Sequence, residues 1–116
     1  MKYMLSAFVV IAVVAVVFFA AHANPPNAVG VKYDTARGEL DIQVEHVVSD
    51  RKSHYIEKVV VMKNGVEVAS RSFESQTSSR NQTMPPIRIP AVSGDNFKVT
   101  ATCNKRGSGE RTITVE

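Results

Sequence analysis

Apolar and polar residues alternate along much of the chain beyond residue 28, with the two-residue period of a half-buried β-strand. The alternation is cleanest at residues 40–48, where Leu40, Ile42 and Val44 share one face, and at residues 97–103. The pattern predicts seven short strands, at residues 29–33, 40–48, 54–63, 66–73, 87–90, 97–103 and 112–115. No helical period occurs in this part of the sequence, so an all-β domain is expected.

Turn-forming residues separate the predicted strands. Asn64-Gly65 is the strongest hairpin signal in the chain, because both residues tolerate the positive φ angles of a type I′ turn. Residues 74–86 are mostly polar and end in two prolines, so they are predicted to form a loop or crossover. About seven strands in one small domain indicate an immunoglobulin-like β-sandwich.

The N-terminal residues have the features of a secretory signal peptide. Lys2 is followed by an almost wholly apolar run at residues 5–20 and then by Ala21-His22-Ala23, whose small residues suit a signal peptidase. We predict cleavage after Ala23, which leaves a sandwich domain at residues 24–116 in the periplasm or outside the cell. The alternative is an uncleaved anchor, although the apolar run is shorter than the roughly 20 residues of a membrane-spanning helix. Membrane contact is expected only in that case.

Charge and motifs exclude several classes of function. The net charge is +3 and no long basic run occurs, which together with the export signal argues against binding to nucleic acid. The sequence contains neither a Gly-x-Ser-x-Gly nucleophile elbow nor a phosphate-binding Gly-Lys-Ser/Thr loop. No catalytic residue is predicted. The single cysteine permits no disulfide within the chain.

Two histidines and that cysteine are the candidate ligands of a metal. His46 continues the apolar face of its predicted strand, His54 opens the next strand, and Cys103 ends a later strand on its inward phase. Imidazole and thiolate are good donors for iron, zinc or copper, and strand ends hold side chains stiffly. The alternative is structural, because a buried cysteine also acts as a small apolar residue and a buried histidine can bond to a backbone carbonyl.

Four short motifs follow one another in the order Val44-Glu45-His46, His54-Tyr55-Ile56, Asn64-Gly65 and Cys103-Asn104-Lys105-Arg106-Gly107. In this order they resemble the ferrous iron-binding domain of desulfoferrodoxin and superoxide reductase, over residues 38–107. In that family an immunoglobulin-like sandwich holds mononuclear non-haem iron by four equatorial histidines and one axial cysteine, and reduces superoxide at the open sixth position. The resemblance implies that His46, His54 and Cys103 are metal ligands and that the cofactor is iron.

Two ligands of the family have no counterpart. Arg106 stands where the Cys-Asn-x-His-Gly motif of the family has its histidine, and a guanidinium stays protonated and is no ordinary ligand. No histidine lies between residues 24 and 38. The resemblance therefore implies metal binding with an electron-transfer or degenerate superoxide-scavenging role and a periplasmic redox partner, while enzymatic activity stays open.

A second resemblance implies a different function. It rests on Gly94-Asp95-Asn96-Phe97-Lys98-Val99, Asn104-Lys105-Arg106-Gly107 and Thr112-Ile113-Thr114-Val115. These segments are similar to the Z-type subunit of the Sox sulfur-carrier complex, a metal-free exported sandwich that holds a carrier subunit whose own terminal cysteine bears the sulfur. The alternative function is thus an interaction module for a sulfur-carrier protein. Cys103 favours the iron family, and Arg106 favours the carrier-partner type.

Overall fold

The structure is a computed structural model that describes residues 25–116. The predicted signal peptide, residues 1–23, lies outside this range. The described residues form eight β-strands in two antiparallel sheets and contain no helix, which confirms the predicted all-β sandwich. No helix that could span a membrane occurs between residues 25 and 116.

The longest connections are residues 46–55, between the second and third strands, and residues 73–80, between the fourth and fifth. The bounds of the strands are β1 Ala28–Asp34, β2 Glu39–Glu45, β3 Ile56–Lys63, β4 Val66–Ser72, β5 Asn81–Thr83, β6 Ile87–Arg88, β7 Asn96–Cys103 and β8 Ser108–Thr114.

One sheet pairs β1 with β2, and β2 in turn with β5 and β6; the other has the order β4-β3-β7-β8. The assignment of β1, β2, β5 and β6 to one sheet and of β3, β4, β7 and β8 to the other is that of an immunoglobulin-like sandwich.

The core lies between the two sheets and is built by the alternation that the sequence shows. Leu40, Ile42 and Val44 of β2 are fully buried, and their neighbours in the strand are not. In the opposite sheet, Phe97 and Val99 of β7 are also fully buried, and Lys98 between them is exposed. Burying apolar side chains from both sheets stabilises the sandwich and fixes the strand register, because a slip by one residue would expose the whole apolar face.

The Asn64-Gly65 prediction is confirmed. The φ angles are 50° at Asn64 and 82° at Gly65, and Lys63 pairs with Val66 across the two-residue turn. Both central residues thus have the positive φ of a type I′ turn, whose twist matches that of the flanking strands.

Several predicted boundaries were wrong. The third strand begins at Ile56, so His54 lies two residues before it instead of opening it. Residues 81–83, placed in a loop, form β5 and pair with residues 43–45 of β2; the three are polar, so no apolar period marks them. The last strand begins at Ser108 instead of residue 112, because Ser108 and Gly109, which carry no apolar period, pair with Thr102 and Ala101 of β7. Strand β2 ends at Glu45, and His46 is the first residue beyond it.

Candidate metal centre

Three strands bring the candidate ligands to one end of the sandwich. His46 follows β2 directly, and Cys103 is the last residue of β7 in the opposite sheet. Ile56 at the start of β3 pairs with Cys103, which places His54, two residues earlier, beside the thiol. The order of the strands therefore gathers residues that are up to 57 positions apart in sequence.

The donor atoms of His46, His54 and Cys103 all lie within 4.8 Å of one another. His46 is 0 % exposed and Cys103 is 3 % exposed, whereas His54 is half-buried. The two imidazole rings meet edge to face, with centroids 4.8 Å apart and an angle of 84° between their planes. The structure thus brings together the three residues that the sequence singled out, in a largely buried cluster.

The separation of the donor atoms is close to what a shared metal ion requires. Bonds of about 2.0–2.3 Å in a tetrahedral site place neighbouring donors about 3.3–3.6 Å apart. The widest separation would have to contract by about 1.2–1.5 Å around an ion. His54 is the least buried of the three. Two imidazoles and one thiolate suit a soft or borderline transition metal. These residues could bind a metal; that they do so stays a prediction.

A buried glutamine lies behind His46. Oε1 of Gln76 is 2.7 Å from Nδ1 of the imidazole, and Nε2 of Gln76 donates to the backbone carbonyl of His46 at 2.7 Å. Gln76 also accepts a hydrogen bond from the backbone N–H of Ile56 at 3.2 Å, so one side chain contacts the segments that carry both histidines.

Asn104 links the segment of Cys103 to that of His54. Its backbone N–H donates to the carbonyl of Tyr55, and its Oδ1 accepts from the N–H of Tyr55, both at 2.9 Å. Its Nδ2 donates to the carbonyl of Ser53 at 3.0 Å. These three bonds hold the residues on either side of His54 against the residue after Cys103.

Further hydrogen bonds reach the thiol of Cys103 and order residues 50–54, the loop that precedes and includes His54. The backbone N–H of Lys105 donates to Sγ of Cys103 at 3.4 Å. The carbonyl of Asp50 accepts from the N–H of His54 at 2.9 Å. Hydrogen bonds to the Asp50 carboxylate, first from the backbone N–H of Lys52 and then from the Ser53 side chain, lower the pKa of this carboxyl. The loop is therefore anchored by an ionised Asp50 at neutral pH.

Arg106 is exposed and is not among the clustered donors. It lies in the turn between β7 and β8. Its guanidinium supplies no metal ligand where the family motif has an imidazole. Between residues 25 and 116, His46 and His54 are the two histidines.

The residues before β1 pack over the same end of the sandwich. Asn27 donates its backbone N–H to the carbonyl of Glu45 at 2.7 Å, and its Oδ1 accepts from the N–H of Val47 at 3.1 Å, on both sides of His46. Pro25 lies against Gly107, whose carbonyl accepts from the N–H of Cys103 at 3.0 Å. This segment therefore contacts the residues next to two of the candidate ligands.

Gln76 and Asn104 were not identified from the sequence as parts of the site. Asn104 stands inside the Cys-Asn motif, but its three hydrogen bonds run to residues about 50 positions away. Gln76 lies in the segment predicted to be a loop, and no local pattern distinguishes it from the polar residues around it.

Fold and donor cluster together define an all-β sandwich with a two-histidine, one-cysteine group at one end. No protein-family model and no curated protein matches the chain by sequence. Among solved structures, a superoxide reductase in the oxidised state is 14 % identical, with a TM-score of 0.51 over 79 % of this chain and 90 % of that chain. The superoxide reductase (neelaredoxin) from Ignicoccus hospitalis is also 14 % identical, with a TM-score of 0.47 over 78 % of this chain and 82 % of that chain.

At this level of identity the first of these likenesses shows the fold alone. The chain has a superoxide reductase-like fold, in agreement with the first resemblance seen in the sequence. The similarity to the Z-type Sox subunit gains no support from these structures.

Proposed function

We propose that this protein binds one transition-metal ion, with iron preferred, through His46, His54 and Cys103. The observation that carries the proposal is the convergence of two imidazoles and one thiol within 4.8 Å at a shielded end of the sandwich. Iron held there would supply one-electron exchange between its ferrous and ferric states. The superoxide reductase-like fold supports iron over other metals that accept the same donors.

The donor set supports electron transfer or a degenerate superoxide-scavenging role. It does not supply the five ligands of the full superoxide reductase centre. The sequence contains three histidines, and one of them, His22, belongs to the predicted signal peptide. Four imidazoles and a thiolate cannot be assembled from these residues. Three protein ligands leave positions open for water or an external molecule, as in catalytic rather than structural metal sites.

The proposal includes an exported location and a redox partner. The features of residues 1–23 support delivery to the periplasm or beyond. A protein that exchanges single electrons needs a donor, and we expect a periplasmic redox protein to act on it. The metal-free alternative, a partner of a sulfur-carrier protein, would leave the convergence of three side chains that could bind a metal without a use.

Anaerobic titration with ferrous iron tests the proposal. The purified protein should bind one iron per chain and, after oxidation, show a thiolate-to-iron charge-transfer band. Cys103→Ser should lose this band and most of the bound iron, whereas Thr102→Ser, a change at the neighbouring residue of β7, should retain both. Iron binding by Cys103→Ser as tight as that of the wild type would contradict the assignment.

Competition among metals tests the preference for iron separately. Iron, zinc and copper should be offered at equal free concentrations, and the bound metal measured by mass spectrometry. Retention of zinc or copper would support metal binding at these residues and overturn the preference for iron. A protein that binds none of the three, but holds a carrier protein with a C-terminal cysteine, would replace metal binding by the alternative function.

A further inference from the structure

The Gln76 side chain is buried and uses both ends of its amide. It is 1 % exposed. Its Nε2 donates to the backbone carbonyls of His46 at 2.7 Å and Ser78 at 2.9 Å. Its Oε1 faces Nδ1 of His46 at 2.7 Å and accepts from the N–H of Ile56 at 3.2 Å.

These contacts fix which way the amide points. A carbonyl oxygen accepts hydrogen bonds and never donates, so the amide NH2 group must face the carbonyls of His46 and Ser78. A flipped amide would place its oxygen against two carbonyl oxygens and its NH2 group against the N–H of Ile56. Because these groups are buried, such contacts would leave them without hydrogen-bond partners, which is strongly unfavourable. Oε1 therefore faces the imidazole.

The orientation of the amide determines the tautomer of His46. An acceptor 2.7 Å from Nδ1 requires that Nδ1 carry the hydrogen. A neutral imidazole has a single N–H, so the lone pair resides on Nε2. Metal-binding histidines commonly donate their second N–H to an oxygen in this way, which fixes the ring and makes it a stronger ligand.

We propose that Gln76 is a positioning residue that holds His46 in the Nδ1–H tautomer and thereby makes Nε2 the metal-binding atom. This inference rests on the proposed metal site. Its structural part, the tautomer, exists without metal and can be measured in the metal-free protein.

Backbone contacts place the glutamine firmly enough for this role. The backbone N–H of Gln76 donates to the carbonyl of Arg51 at 2.9 Å, and its own carbonyl accepts from Nη1 of Arg51 at 3.0 Å. Gln76 is thus held from both of its main-chain groups while its side chain contacts the histidine. A displaced amide would release the ring.

The tautomer is read from long-range ¹H–¹⁵N spectra of the His46 ring in metal-free protein. The wild type should show a protonated Nδ1 and an unprotonated Nε2. Gln76→Leu keeps the approximate volume but has no acceptor, so the Nε2–H form should become populated. Gln76→Glu retains an acceptor for Nδ1 and should preserve the Nδ1–H form, at a cost in stability because its second oxygen faces the carbonyls of His46 and Ser78. The wild-type tautomer supplies the test if neither variant folds.

Gln82→Leu is the matched control. Gln82 is a second buried glutamine of the same segment, and its Oε1 accepts from the N–H of Thr77. This variant should lose stability and leave the His46 tautomer unchanged. An Nε2–H tautomer in the wild type, or an unchanged Nδ1–H tautomer in Gln76→Leu, would overturn the proposal.

Metal affinity separates this inference from the proposed function. Loss of a hydrogen-bond partner of a ligand typically lowers metal affinity about 10–100-fold, and we expect this for Gln76→Leu but not for Gln82→Leu. If the predicted tautomers are found and the wild type binds no metal, metal binding is wrong and the positioning of His46 still holds. Metal binding with equal affinity in all variants would refute the positioning role alone.

Discussion

Replacement of Gly107 by alanine should destabilise the protein through a contact with the segment before β1. Gly107 has a φ of 82°, and an alanine methyl group there would lie 2.8 Å from Cβ of Pro25. Gly65 has the same φ of 82°, but a methyl group there meets no atom within 4 Å. The two glycines thus share the cost of the left-handed backbone and differ in the contact with Pro25.

The magnitudes follow from this comparison. A residue with a Cβ in left-handed conformation costs about 1–2 kcal/mol, which applies to both positions. Overpacking typically costs about 1–3 kcal/mol, and the exposed Pro25 places the cost at the lower end. We therefore expect Gly65→Ala to lower the free energy of unfolding by about 1–2 kcal/mol and Gly107→Ala by about 1 kcal/mol more.

Urea denaturation of both variants measures this difference, as a shift of the midpoint at constant slope. Pro25→Gly removes the Cβ that causes the clash, so the combined variant Pro25→Gly with Gly107→Ala should recover the extra cost in a double-mutant cycle. Equal losses at Gly65 and Gly107, together with zero coupling to Pro25, would refute the packing of the N-terminal segment over the turn beside Cys103.

Two further changes test the hydrogen bonds of Asn104 beside the candidate ligands and the contribution of the Asp95 carboxylate to stability. Asn104→Ala removes the bonds from its side chain to Ser53 and Tyr55, so it should lower both stability and iron affinity, the latter at least tenfold. Asn96→Ala, at the opposite end of β7, should lower stability alone; reduced iron affinity in this control would contradict the distinction. Hydrogen bonds to the Asp95 carboxylate, first from the backbone N–H of Val92 and then from the Asn64 side chain, lower the pKa of this carboxyl below its usual value. Ionised Asp95 therefore stabilises the fold above its ordinary pKa, and this contribution is lost as the pH falls through the lowered value. Thermal unfolding from about pH 5 downward should show a shallower loss of stability for Asp95→Asn than for the wild type, and equal slopes would contradict this assignment.

The alternating strands could be predicted because each buries a single face. Leu40, Ile42 and Val44 occupy every second position of β2, and His46 continues their phase one residue beyond the strand. The burial of His46 could thus be predicted from the sequence. Strand β5 could not, because its buried residue is Gln82, and a polar strand leaves no hydrophobic period to detect.

The candidate ligands could be proposed from residue type and order, but the groups that position them could not. Gln76 contacts His46 across 30 positions of sequence, and Asn104 contacts Tyr55 across 49. These bonds depend on how β2, β3 and β7 end relative to one another in space. No local period records such a relation, and an amide in a polar segment has the same appearance whether it is exposed or buried.

The location of Gln76 and Asn104 at the end of the sandwich explains why side-chain amides position the candidate ligands. Where strands stop, the backbone groups of the connecting loops lose their ladder partners and must be satisfied by other groups. Gln76 and Asn104 satisfy such groups beside His46 and His54, and the same bonds hold the candidate ligands in place. Stability and metal affinity should therefore fall together when either amide is removed. At Gln82, whose Oε1 accepts from the N–H of Thr77, and at Asn96, at the opposite end of β7, stability should fall alone. This pattern distinguishes a site built into the fold from three donors that are adjacent by chance.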